Sequence, residues 1–308
     1  MIERPLTFRG NGEELVGVLT VPDSDPTEVE VAIVFAQSGA RGRLGNSFHY
    51  PYFARRFAAA DIASFRFDPA GLGDSTGAIA PGDVRDLYAS IAAGRFVPDT
   101  LAAIQELARH VRARRLYLLG VCGGAATALL AAAASTSRVD GVALLSLPVL
   151  LDSAARIPKR YAREYLLKNY ASKILSPRAW NRLLTGQSQT KRILTHALAS
   201  MSSFQFSTER HPHPMFNVRV VRAIDALVKH RRRVLVVYGQ DDYFRHQWEA
   251  EFRDVYWNVK PEYRTALHVE YVAGGNHMFS LRESQSAITD RVSLWLRATQ
   301  EPALDSHD

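Results

Sequence analysis

The chain reads as an α/β protein with a mostly parallel sheet of about eight strands, helices on both faces and a helical cap inserted after the sixth strand. Three observations predict it. β-Branched apolar runs of strand length alternate with stretches of roughly 3.6-residue periodicity. Most of those runs are continuously apolar, the pattern of strands buried on both faces. Finally, the alternation lapses from 149 to 216 and then resumes.

The elements follow in order. "RPLTFRG" and "ELVGVLTVP" flank Asn11-Gly12, which predicts a hairpin. "VEVAIVFAQ" is a buried strand that runs into the loop "SGARGRLGN", followed by helix "YPYFARRFAAAD" and strand "IASFRFD". "PAGLGDSTG" reads as a turn in which Asp68 and Asp74 make local hydrogen bonds. Asp99 after Pro98 opens a helix over "PDTLAAIQELARHVRARR", its basic end matched to the helix dipole; "KHRRR" reads in the same way. Strand "LYLLGV", helix "GGAATALLAAAA" and strand "VDGVALLSLP" complete residues 1–148 as the first part of the core.

Residues 149–216 contain helical pieces and no convincing strand, so they form the cap insertion. Residues 217–308 return to the core with helix "VRVVRAIDALVKH", strand "RVLVVYGQ", helix "QWEAEFRDVYWNV", strand "LHVEYVAG" and helix "AITDRVSLWLRAT".

Composition narrows the function. With 47% hydrophobic and 22% charged residues the chain is an ordinary globular one. It holds no apolar run of the roughly 18–20 residues that span a bilayer. "MIERPLTFRGNGEEL" lacks the apolar core of a signal peptide, and a single cysteine makes no internal disulfide, so a cytoplasmic location is expected. The net charge of +7 is uneven: 149–216 carries eleven Lys and Arg against three acids. No zinc-finger spacing, RNA-binding signature or phosphate-cradling loop accompanies it, so nucleic acid is not an expected partner. His211 and His213, beside prolines in a polar loop, read as solvent-exposed, and no metal or cofactor is expected.

The chemistry centres on "GVCGG". Cys122 lies between a strand and a helix with small residues on each side, as a nucleophile elbow requires, and near a helix N-terminus whose dipole favours a thiolate. A free thiol near pKa 8.5 is only slightly ionised at neutral pH, so a partner base is needed. After strand "RVLVVYG" come Asp241 and Asp242; after "LHVEYVAG" comes His277. Nucleophile, acid and histidine thus occur in the order of a triad. Asp242 fits the Gly-x-x-Asp loop spacing, with Asp241 as the alternative and Asp152 a distant third. The backbone N–H of Gly123 is one candidate oxyanion donor, and Gln37 or Ser38 the other. Arg41 and Arg43 in the same loop are candidate contacts for an anionic substrate.

With "GVCGG", "GQDD" and "GGNH" spread over the chain, the sequence resembles the α/β-hydrolase fold, and "FRFDPAGLGDSTG" is similar to a segment common in those enzymes. A narrower resemblance, carried by the cysteine elbow and by "YLLKNYASKILSPRAWNRLLTGQ", is to the hydrolases associated with exosortase A and exopolysaccharide gene clusters. The resemblance implies Cys122, Asp242 and His277 as the triad. The expected activity is that of an esterase, thioesterase or acyltransferase on a small or carrier-bound acyl substrate, anionic in view of the basic insertion. A serine-aminopeptidase-like peptidase and a non-catalytic binding protein of the same fold are the alternatives.

Overall fold

The computed structural model describes residues 1–23, 27–37, 41–79, 82–136, 138–151 and 215–298. Two antiparallel strands open the chain, β1 (Ile2–Gly10) and β2 (Glu13–Val21), paired from Ile2↔Val21 to Gly10↔Glu13. Their turn puts Asn11 and Gly12 at φ 52° and 85°, the left-handed pair that a tight hairpin needs.

β3 (Glu28–Ala36), α1 (His49–Ala58), β4 (Ile62–Asp68), α2 (Val84–Ala92), α3 (Val97–His110), β5 (Arg112–Val121), α4 (Gly123–Ala134) and β6 (Gly141–Leu145) follow. Beyond the insertion come α5 (Val218–Lys229), β7 (Arg233–Gly239) and α6 (Tyr243–Gln247). A π-wound segment (Trp248–Trp257), α7 (Pro261–Ala266), β8 (Leu267–Val272) and α8 (Arg282–Arg297) complete the described chain. The eight strands form one sheet ordered β1-β2-β4-β3-β5-β6-β7-β8. It is parallel from β4 to β8, and β2 runs antiparallel to β4.

Every residue of β4 and β6 is buried, which accounts for their lack of alternation. On one face, Phe35, Tyr50, Phe53, Phe57, Leu119, Leu145, Val237 and Ile288 belong to a single apolar cluster. On the other lies α4, buried on nearly all sides. Its alanines let it lie close to β5, α3 and α5, and a helix apolar all round has no face to give to solvent.

Three expectations are corrected, and one helix is added. "HVRARR" does not end a helix: α3 stops at His110, and Arg112–Arg115 begin β5. Arg112 pairs with Glu28, and Arg114 and Arg115 with Glu30, so charge on the neighbouring strand draws these arginines into the ladder. In "KHRRR" only Lys229 belongs to the helix; Arg231 turns the chain at φ 53° and Arg233 starts β7. "QWEAEFRDVYWNV" is mostly π-wound; Trp248 stacks on Phe252 with ring centroids 4.2 Å apart, and Tyr256 meets Phe252 at a tilt, 5.8 Å away. Helix α2, which the periodicity did not predict, starts at Asp83, whose carboxylate accepts from Arg85 N at 2.8 Å.

The helical pieces expected within the insertion lie outside the described residues, but residues at both its ends are described. Leu150 and Phe216 form an antiparallel bridge, supported by Leu151 N to Met215 O (2.9 Å) and Asn217 N to Val149 O (2.9 Å). The chain therefore leaves and rejoins the sheet at one place.

Candidate active site

β3 and β5 are neighbours in the sheet although β4 lies between them in sequence, and the chain winds outward from them in opposite directions. Such a reversal opens a crevice at the carboxyl ends of the strands. Cys122 stands there, directly after β5, at φ 56° and ψ −121°. A non-glycine residue in this region is strained, and here the surroundings hold it: Cys122 N donates to Leu145 O (2.8 Å), and its carbonyl accepts from Ala125 N (2.9 Å). The flanking glycines are sterically required. A Cβ on Gly120 would lie 2.1 Å from Gly124 O, and one on Gly124 would lie 2.2 Å from Gln37 O. The first turn of α4 thus packs directly against the end of β3.

Asp242 caps α6 and is fully buried. One of its oxygens, Oδ1, accepts from Phe244 N (2.9 Å) and faces His277 Nδ1 at 3.0 Å. Asp241 is exposed at the surface, with its backbone N bonded to Gly275 O at 3.0 Å. The acid that meets the histidine is therefore Asp242; Asp152 lies outside the described residues.

His277 is set by its loop. Gln240 N donates to Val272 O (2.8 Å), which joins the acid loop to the end of β8. Gly239 permits the closeness of the two loops, since a Cβ there would meet Gly275 O at 2.2 Å. Asn276 Oδ1 accepts from Met278 N (3.2 Å) and Ser280 N (3.1 Å), which turns the chain around the histidine. The ring packs edge-on against Phe244, centroids 4.4 Å apart. Ser146, buried at φ 53° just after β6, donates its hydroxyl to the His277 carbonyl at 3.0 Å. The sequence carries no signal for that tether, because nothing local marks Ser146 as a left-handed position.

Burial by itself lowers the basicity of His277. The hydrogen bond to Asp242 and the proximity of Cys122 and Asp242 outweigh it and push the ring from 6.5 up to about 10.

The oxyanion candidates divide. Gly123 opens α4, so its N–H has no acceptor within the helix. Gln37 is buried, and its side-chain amide has no hydrogen-bond partner among the described residues. Ser38 lies outside the described residues. Of the two candidate anion contacts, Arg41 is exposed. Arg43 is already engaged: its guanidinium pairs with buried Asp68 and with Asp74 (2.5 Å), and its backbone N donates to Asp68 at 2.5 Å. Asp68 also accepts from Asp74 N at 3.0 Å. Arg43 therefore clamps the loop after β3 to the turn after β4, as the proximity of two carboxylates dictates. Among the described residues no group of three or more metal-ligating side chains occurs, and no helix is long and apolar enough to cross a membrane.

The computed structure is similar to several solved ones. The proline iminopeptidase of Mycobacterium smegmatis matches with TM-score 0.57 at 16% identity, covering 95% of this chain and 97% of that one. Est1E from Butyrivibrio proteoclasticus, solved with ferulic acid bound, matches with TM-score 0.53 at 17% identity, covering 94% and 97%. XC6422 from Xanthomonas campestris, an α/β serine hydrolase without a lid, matches with TM-score 0.51 at 16% identity, covering 96% of each. At these identities the likeness is one of fold. A search of curated protein sequences finds no match. The family model described as "Serine aminopeptidase, S33" matches residues 32–278, a span that takes in Cys122, Asp242 and His277. The chain therefore belongs to the serine aminopeptidase S33 family, within the α/β-hydrolase superfamily.

Proposed function

We propose that the protein is a cytoplasmic acyl-transfer enzyme, an esterase, thioesterase or acyltransferase, with Cys122 as nucleophile, His277 as general acid–base and Asp242 as the group that orients it. The observation that carries this reading is the Asp242 Oδ1–His277 pair together with a cysteine at a strained strand–helix elbow at the carboxyl end of the sheet. Cys122 gives its thiol proton to His277 as Sγ attacks the acyl carbon. The C–S bond forms as the carbonyl π pair moves to oxygen, where the N–H of Gly123 and a donor at Gln37 or Ser38 receive it. Collapse expels the alkoxide or thiolate leaving group, which takes the proton from His277. A water or another acceptor then gives its proton to His277 and attacks the thioester, releasing the acyl product and Cys122.

A thiolate is a good leaving group as well as a strong nucleophile, which favours activated acyl groups such as thioesters, lactones and aryl esters over amides. The eleven basic residues of 149–216 and the exposed Arg41 support an anionic acyl substrate, small or carrier-bound. The resemblance of residues 165–187 and of the cysteine elbow to exopolysaccharide-cluster hydrolases supports the same class. The test is a panel of p-nitrophenyl esters, acyl thioesters and aminoacyl p-nitroanilides offered to wild type, Cys122→Ala and Cys122→Ser. Ester or thioester turnover abolished in Cys122→Ala supports the reading. Turnover of the anilides alone would move it to the peptidase that the family name suggests. Inertness of all three proteins would move it to a binding protein.

A further inference from the structure

The β3–β5 ladder runs from Glu28↔Arg112 and ends at Ala36↔Gly120. The next residue of each strand is functional on the reading above, which this inference rests on: Gln37 follows Ala36, and Cys122 follows Val121. Where the strands part, one β3-side acceptor and one β5-side donor lose their ladder partners. A single hydroxyl takes both. Tyr50 OH donates to Ala36 O at 2.7 Å and accepts from Val121 N at 3.2 Å.

We infer that Tyr50 is a positioning residue for acyl transfer: its hydroxyl sets the gap between the end of β3, which carries an oxyanion donor, and the end of β5, which carries the nucleophile. Only a group that donates and accepts at once satisfies both strands, so phenylalanine fills the same space and leaves two buried backbone groups unpaired. The ring is fixed as well as the hydroxyl. Tyr50 is fully buried and stacked on Phe35 with centroids 5.0 Å apart, and His49 packs edge-on against it at 4.5 Å. Burial above all holds the phenol in its protonated form, with the Cys122 charge adding to the effect and donation from Val121 N opposing it. The donor to Ala36 thus persists at every working pH. Gly124 completes the joint, because its lack of a Cβ lets α4 touch Gln37 O.

The experiment compares wild type, Tyr50→Phe, Tyr263→Phe and Cys122→Ala on an activated p-nitrophenyl ester, with thermal unfolding of each. Tyr263 serves as the matched control: it too is fully buried, and its hydroxyl donates to Asp225 at 2.5 Å, on α5. Both Tyr→Phe variants lose some stability. Tyr50→Phe is expected to lower kcat at least about tenfold with KM within about twofold, because displacement of the donors by a fraction of an ångström acts on the transition state. Tyr263→Phe is expected to keep kcat. A Tyr50→Phe enzyme with kcat like that of Tyr263→Phe would overturn the inference and leave the acyl-transfer reading intact. Full activity in Cys122→Ala would overturn both.

Discussion

At the residue scale the account rests on how three side chains are held. His277 is set from both ends: Asp242 fixes the ring and Ser146 the carbonyl. On the acyl-transfer proposal, replacement of His277 by alanine removes the acid–base group and is expected to lower kcat by roughly 10²–10⁴. The same variant should slow alkylation of Cys122 by iodoacetamide at pH 7, since on that proposal the base that activates the sulfur is lost. Unchanged alkylation would separate the sulfur from the histidine. Cys122, Asp242 and His277 stood out in the sequence because each follows an apolar run at a strand end, in triad order, and the structure brings Asp242 to His277. Ser146 and Tyr50 did not. The left-handed turn of one and the interstrand bridge of the other depend on contacts 131 and 71 residues away.

At the scale of elements, the site is a product of loops drawn together by glycine. Gly239 and Gly275 bring the acid loop onto the histidine loop, and Gly120 and Gly124 bring α4 onto β3. Gly239→Ala puts a Cβ 2.2 Å from Gly275 O, so the histidine loop must move. A destabilisation of about 1–3 kcal/mol is expected from overpacking, with a fall in kcat that exceeds what the loss of folded protein explains. Chemical denaturation together with kinetics at a temperature where the variant is folded checks both parts. The strands and the hairpin were readable because buried parallel strands and an Asn-Gly turn leave strong local patterns. The end of α3 was misread because arginines suit a helix terminus as well as a strand facing Glu28 and Glu30. Helix α2 had a readable start at Asp83, with Asp86 three residues on, but its core-facing stripe is short: only Ile91 and Ala92 are buried.

At the scale of the whole molecule, two histidines of opposite sense bound the pH range of stability. His277 rises from 6.5 to about 10 on folding, so its contribution is complete below 6.5 and is lost as pH climbs through 10. His49 behaves in the opposite way. Burial lowers it from 6.5 to about 4. Its contribution is complete above 6.5 and is lost as pH falls towards 4. Urea midpoints measured across this range should therefore fall at both ends. His277→Gln should flatten the alkaline side and His49→Phe the acid side; either slope surviving its own substitution would contradict the assignment.

The central claim is that Cys122 carries the acyl group. The most direct measurement is the intact mass of the protein quenched during turnover of an activated p-nitrophenyl ester, followed by peptide mapping. The account predicts one acyl increment on the peptide that contains Cys122, discharged by water or an added acceptor and absent from Cys122→Ala. Undiminished turnover by Cys122→Ala, or an acyl group mapped to a different residue, would contradict it.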